Sequence, residues 1–339
     1  MIRKNKINKL IFFVSIVSIM VFSLILVGLA ADLEPIKLRV NTNVKGHANR
    51  VAFEMWLEYT NEKLSNYIIE PQIFIMGEIA SAGEGIDAIK ADMIDMFTEA
   101  LSWQTNWDPR MGIVEQSFLY EDPEQLNRIL NEEGLADKLN ESLLEKTGDV
   151  RILATYYTGS RWMYFKNKID SIEDLPKVQM RIPGSRPYRD MAELLGVQAV
   201  SVNWADVYTA LESGLVEAME GPPPDVYAEG YHQPCNYFWP SNHLQMAEAF
   251  YINNDLFNSF PSEVRSAMLE AAEEVEKEMY KIRVSEMEKY ADILQEAGLE
   301  LIMQDVDMSP LKEKANEIHM RWAKESDAID LLEFIESKK

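Results

Sequence analysis

The sequence predicts an α/β protein of two lobes, with mainly parallel sheets and one long helix bracing both. Three observations predict it. From Ile36 onward, short apolar segments alternate with amphipathic ones in a βαβαβ order, the order of a parallel sheet covered by helices. A second unit of strands and helices begins near Tyr156. Residues 262 to 297 then contain neither Gly nor Pro over 36 residues. As one helix, at about 1.5 Å per residue, they would span roughly 54 Å, longer than either unit alone. The chain of 339 residues is long enough for two such units.

The elements follow in order. Ile36 to Asn41 reads as a strand, Ala48 to Leu64 as an amphipathic helix, and Ile68 to Ile75 as a second strand. Gly83 to Ala91 reads as a helix and Met93 to Thr98 as a buried strand. Ligands of such sheets bind beyond the carboxyl ends of the strands. Asn41 and Glu99 lie at two of those ends. Both are candidate wall residues, against the competing reading of structural or solvated polar groups. In the second unit, Val178 to Ile182, Gln198 to Val202 and Ala218 to Glu220 read as strands, with helices over Ser185 to Leu195 and Asn203 to Ser213. Gly196 and Gly214 stand where helices commonly end on a left-handed residue. Pro222 to Pro224, followed by Asp225, stiffen the exit from the third strand and can start a helix. Ala249 to Asn253 returns to the first unit. In the long helix, Val264, Met268, Ala271, Val275, Met279 and Ile282 keep the spacing of a buried stripe. A break near Ser285 and Glu286, giving two helices, stays open. Leu299 to Met303 adds a strand, and residues 309 to 337 form terminal helices.

Composition narrows the function. Hydrophobic residues make up 47% of the chain, which is ordinary for a folded protein and excludes disorder. Arg3, Lys4, Lys6 and Lys9 precede an apolar run from Leu10 to Ala31, the layout of a secretory signal with Gly28 and Ala30 at a cleavage site after residue 30. The rival reading is an uncleaved anchor, since about twenty apolar residues can span a bilayer. No Cys follows the run, which argues against a lipid anchor. Beyond residue 30 the chain holds 29 basic residues against 56 acidic ones, a net charge of −27. Such a charge opposes nucleic acid and anionic membrane surfaces. Cys235 stands alone, so no disulfide forms within the chain. His47, His232, His243 and His319 show no metal-ligand spacing. No phosphate loop or nucleophile elbow occurs, and the leading enzyme reading is a hydrolase that uses two of the many carboxylates.

Two arginines stand out against the negative charge. Arg161 precedes the alternating aromatic run Trp162-Met163-Tyr164-Phe165, and Arg181 ends an apolar strand just before Pro183-Gly184. A guanidinium at a strand end, beside the N–H groups of a turn, can grip a carboxylate through two parallel hydrogen bonds. The competing reading pairs each Arg with an Asp or Glu of the chain.

The run Arg181-Ile-Pro-Gly-Ser, then Met191 to Gly196, Val200 to Leu211 and Ser213 to Pro222, closely resembles the solute-binding subunits of tripartite ATP-independent periplasmic (TRAP) transporters. The resemblance covers nearly the whole chain after the signal. Ile36 to Asn41, Phe74 to Ile79 and Ile89 to Met96 resemble the family's early elements; Asn242-His243 and Phe260 to Val264 also fall where its pattern expects them. The resemblance implies a two-lobed periplasmic-binding-protein-like fold with a cleft at the hinge between the lobes: lobe I over 31–157 and 247–285, lobe II over 158–246, and 286–339 completing lobe II and the C-terminal helices. It implies that Arg181 binds the carboxylate of an organic acid, that Arg161 supports it, and that Trp204 packs on the ligand's organic part. Glu220 and Gly221 would border the pocket. The family's usual Glu-Asn-Pro is here Glu220-Gly221-Pro222, so a ligand-touching amide is missing and space is expected to open. With Trp204 and Arg181, this suggests a monocarboxylate with a bulky or apolar body rather than a four-carbon dicarboxylate or sialic acid. The implied partners are the small acid and TRAP membrane subunits, outside the cytoplasm and without a cofactor or nucleic acid. A sensing receptor of the same fold is the alternative.

Overall fold

The computed structural model describes residues 33–43 and 47–339, so the expected signal over 1–30 lies outside the described residues. In chain order the strands are β1 (Glu34–Thr42), β2 (Tyr67–Ile75), β3 (Met96–Ala100), β4 (Val150–Ser160), β5 (Trp162–Phe165) and β6 (Gln179–Ile182). They continue as β7 (Gln198–Ser201), β8 (Ala218–Gly221), β9 (Tyr237–Trp239), β10 (Gln245–Asn253) and β11 (Glu300–Leu301). They form two sheets, of order β2-β1-β3-β10-β4 and β11-β9-β5-β8-β6-β7.

The two lobes are as expected, but the sheets are mixed. The pairs β1–β2, β1–β3, β6–β7 and β6–β8 are parallel, as the βαβ order predicts. The antiparallel pairs involve the strands at the crossings between lobes: β10 against β3 and β4, and β5 against β8 and β9. The chain leaves the first sheet at Ser160 and enters the second at Trp162; it returns between Trp239 and Gln245. A strand that comes back across the hinge runs against the one that left. Periodicity reports strands but not their direction, so this was invisible in the sequence. At the first crossing Gly159 adopts φ +132°, and a Cβ there would sit 3.3 Å from Pro222, a position suited to Gly. The crossings are tied together by Trp162 Nε1, which donates to Asn242 Oδ1 at 2.8 Å, and by the Arg161 N–H, which donates to the Leu244 carbonyl at 2.9 Å.

Helices cover both faces of each sheet. One face of the first sheet packs under Phe53 and Trp56 of the helix Ala48–Lys63 and under Val264, Met268, Ala271, Val275 and Met279 of the long helix. The long helix is continuous from Ser262 to Glu296, 35 residues, with no break at 285–286. Its far end reaches the second lobe, where Leu294 is buried with Trp162, Tyr164 and Phe238. Between these ends the buried residue is Arg283 rather than Ile282. Its guanidinium reaches the hinge, donating to the Thr158 carbonyl at 2.7 Å and to Asp225 at 2.9 Å. The last helix, Ile329–Glu336, returns Leu331, Leu332 and Ile335 to the first-lobe core.

Three elements differ from expectation. β3 starts at Met96 rather than Met93, because Asp92 takes a left-handed turn (φ 54°) and Arg39 clamps both Asp92 and Asp95 at 2.6 Å. Residues 203–213 divide into a 3₁₀ turn, Trp204–Asp206, and a short helix, Val207–Glu212. The last strand shrinks to Glu300–Leu301. No helix among the described residues is long and apolar enough to cross a membrane.

Candidate functional site

A cleft with about 350 Å³ of free space lies between the lobes. The first lobe contributes Asn43, His47, Met76, Glu99, Trp103 and Glu248 to its lining; the second contributes Arg161, Arg181, Tyr188, Trp204, Asp225 and Tyr231. The strand ends place most of these groups. Glu99 lies at the end of β3, Arg161 at the crossing from β4 to β5, and Arg181 near the end of β6.

The two arginines differ in a decisive way. Arg161 is saturated by the chain. Its Nε and Nη2 grip the two oxygens of Glu220, the latter at 2.8 Å, and Nη2 also reaches the Glu220 carbonyl at 3.2 Å. Nη1 contacts the Met246 sulfur at 3.0 Å, and the guanidinium lies 4.9 Å from the Tyr188 ring centre. Burial opposes the charge of Arg161, but the Glu220 carboxylate outweighs it and raises the pKa. On Glu220, burial pushes upward while Arg161, aided by His243, pulls harder, leaving its carboxyl at about 2.

Arg181 is not saturated. Its Nε donates to the Val202 carbonyl at 2.9 Å, but Nη1 stands 3.9 Å from Glu220 and has no hydrogen-bond partner, although the residue is only 1% exposed. Burial lowers its pKa to about 10; Glu220 resists this and Arg161 adds repulsion. Two guanidiniums thus share one carboxylate, and the cleft floor keeps one positive charge. Trp204 stands beside it, 5.4 Å from the Arg181 guanidinium. The Trp204 ring meets Tyr231 edge-on at 4.9 Å and His47 of the other lobe at 6.2 Å, and its carbonyl accepts from the Tyr231 hydroxyl at 2.7 Å.

Four of the seven residues singled out in the sequence line the cleft: Arg161, Arg181, Trp204 and Glu99. Glu220 and Gly221 are buried beneath the floor on β8. Asn41 lies behind the wall, where its amide donates to the Ala80 carbonyl at 3.1 Å and contacts the Met76 sulfur at 3.2 Å. Asn43, two residues on, faces the cleft instead. Gly221 does not open space: a Cβ there would lie 2.8 Å from Val226 Cγ2 and 3.5 Å from the Trp204 ring. Val226 already fills the volume that a side chain would take.

Sequence reasoning missed Trp103, Tyr188, Tyr231, Asp225 and Glu248. Only Glu248 carried a signal of its own, as a lone charge within the apolar run Met246 to Ile252. It faces the cleft only 1% exposed, and its Oε2 has no hydrogen-bond partner. Glu99, 6% exposed, accepts from its neighbour's Ala100 N–H at 2.9 Å. Burial lifts its carboxyl to about 8, against that N–H and with help from Glu115. Burial, followed by the repulsion of Glu99 and Asp225, also raises Glu248 well above the usual carboxylate range.

Comparison with known proteins agrees with this architecture. Residues 33–325 match the pattern of the family described as bacterial extracellular solute-binding protein, family 7. A solute-binding protein of Chromohalobacter salexigens is 20% identical over 86% of this chain and 86% of its own. The C4-dicarboxylate-binding periplasmic protein DctP of Rhodobacter capsulatus is 22% identical over 70% of this chain and 71% of its own. Among solved structures, a TRAP periplasmic solute-binding protein of Roseobacter denitrificans with bound β-D-glucuronate superposes with a TM-score of 0.81, at 23% identity over 90% of this chain and 100% of that one. A Desulfovibrio desulfuricans relative with bound sn-glycerol-3-phosphate gives 0.78, at 21% identity and the same coverage. The chain belongs to bacterial extracellular solute-binding protein family 7, the solute-binding subunits of TRAP transporters.

Proposed function

We propose that the protein is a receptor rather than an enzyme, that it captures an organic acid outside the cytoplasm by closure of its two lobes, and that it delivers the acid to TRAP membrane subunits. The unsatisfied guanidinium of Arg181 carries this reading. A buried cation costs free energy unless it is paired and hydrogen-bonded, and the chain leaves Nη1 without a hydrogen-bond partner at the cleft floor, 3.9 Å from Glu220. A ligand carboxylate completes the set through charge-assisted bonds. Arg161, already held by Glu220, acts indirectly by keeping the floor positive and rigid. Trp204 gives the ligand's body a flat wall. Relatives found with glucuronate and glycerol phosphate bound show that this fold accepts small anions. Two crossings, β4 to β5 and β9 to β10, provide the hinge of a two-lobed closure. The apolar preference expected from Gly221 loses its support, because Val226 occupies the volume in question.

The test compares the two arginines. A charged hydrogen bond is worth about 1.5–3 kcal/mol, so Arg181→Ala should weaken acid binding by roughly 10- to 150-fold and leave the fold intact. Arg161→Ala should instead lower stability, because it strands buried Glu220. Calorimetry with ligand-stripped protein, and urea unfolding, separate the two. Wild-type affinity in Arg181→Ala would refute its role.

A further inference from the structure

We infer that the ligand is a zwitterion, with its carboxylate on Arg181 and a cationic nitrogen received by Glu99 and Glu248 on the first-lobe wall. This rests on the organic-acid reading above and adds the second pole of the ligand. β3 and β10 are hydrogen-bonded neighbours, and Glu248 stands opposite Ala100, next to Glu99. Both carboxyls line the same cleft as Arg181. Neither has an ion-pair partner among the described residues, whereas buried Glu220 holds Arg161 and buried Asp225 holds Arg283. Glu248 Oε2 has no partner of any kind. The cleft therefore has two poles, an incompletely paired cation on the second lobe and incompletely paired acids on the first.

Hydroxyl groups of a ligand could also satisfy the two acids, but the surroundings favour a cationic nitrogen. Trp103, Trp204 and Tyr231 line the same cleft, and aromatic faces attract cations but offer hydroxyls little. The chain beyond residue 30 carries a net charge of −27, which repels an acid but not a molecule without net charge. Neither acid is ion-paired, and burial favours the protonated form of both, prevailing at Glu248 over the weaker pull of Arg283. A cationic nitrogen would take the place of those protons.

Calorimetry on the purified protein tests this with matched pairs: leucine against 2-hydroxy-4-methylpentanoate, phenylalanine against phenyllactate, and proline against tetrahydrofuran-2-carboxylate, with glucuronate as a hydroxyl-rich acid. The amino member of at least one pair should bind at least tenfold tighter than its oxygen counterpart and than glucuronate. Glu248→Gln or Glu99→Gln should erase that preference, and Arg181→Ala should weaken binding of both members by roughly 10- to 150-fold. Equal or tighter binding of the oxygen members or glucuronate overturns the zwitterion and leaves the organic-acid reading standing. An amino preference unchanged in both Gln variants overturns it as well. Silence toward every acid, with Arg181→Ala indistinguishable from wild type, overturns both readings.

Discussion

Replacing Glu220 by Gln removes one negative charge from beneath two buried guanidiniums while nearly preserving shape. The Glu220 side chain is fully buried, and those of Arg161 and Arg181 are 4% and 2% exposed. Its carboxyl lies at about 2 in place of the ordinary 4.5. At 1.36 kcal/mol per pH unit, that difference corresponds to about 3 kcal/mol of stability. Stranding one side of a buried ion pair costs about 3–5 kcal/mol in general, so the two figures agree. Urea unfolding at neutral pH should therefore show a loss of about 3–5 kcal/mol. A depressed carboxyl stabilises the fold above its unfolded value near 4.5, and the contribution disappears as pH falls toward 2. Wild type and variant should converge in that window. Because the floor would then hold two unneutralised cations, sulfate should stabilise the variant more than the wild type. A variant within about 1 kcal/mol of wild type at neutral pH, or a gap that persists at pH 2, would refute the shared-carboxylate argument.

Two other perturbations have definite outcomes. Gly221→Asn restores the residue usual in the family, yet its Cβ would meet Val226 at 2.8 Å. It should cost about 1–3 kcal/mol through overpacking rather than improve binding, with Val226→Ala recovering part of the loss in urea unfolding. Glu99 faces Glu115, Glu248, Tyr156 and Tyr251, and burial lifts its carboxyl to about 8. A raised carboxyl gives stability that is complete below the unfolded value and lost as pH rises through the folded one. Ligand-free protein should lose up to ~1.4 kcal/mol per pH unit for each retained proton between pH 5 and 8, and Glu99→Gln should flatten that slope.

The elements with one buried face were legible because spacing alone records that face. The helix Ala48–Lys63, the parallel pair β1–β2 and the continuous helix Ser262–Glu296 all lie within a few residues of their expected bounds. Strand direction at the crossings was not legible, since alternation is the same in a strand and in its reverse. Within the long helix, the shift from Ile282 to Arg283 was also hidden. A cation is buried there because Thr158 and Asp225, far away in sequence, come to meet it.

The cleft divides along the same line. Arg181 and Trp204 were legible through a resemblance that spans consecutive residues. The charge relations that decide what the site can hold were not, because each joins distant segments: Arg161 and Arg181 to Glu220, Arg283 to Asp225, and Glu99 to Glu248 across two strands. Composition even pointed the wrong way, since 56 acidic residues suggested that every Arg would find a partner. Pairing is limited by geometry rather than by supply. Glu220 has only two oxygens, and Arg161 takes both. Arg181 is left at 3.9 Å, beyond hydrogen-bond reach of the same group. The surplus acids Glu99 and Glu248 stand on the opposite lobe. A chain this acidic can therefore keep an incompletely hydrogen-bonded guanidinium at the floor of its cleft.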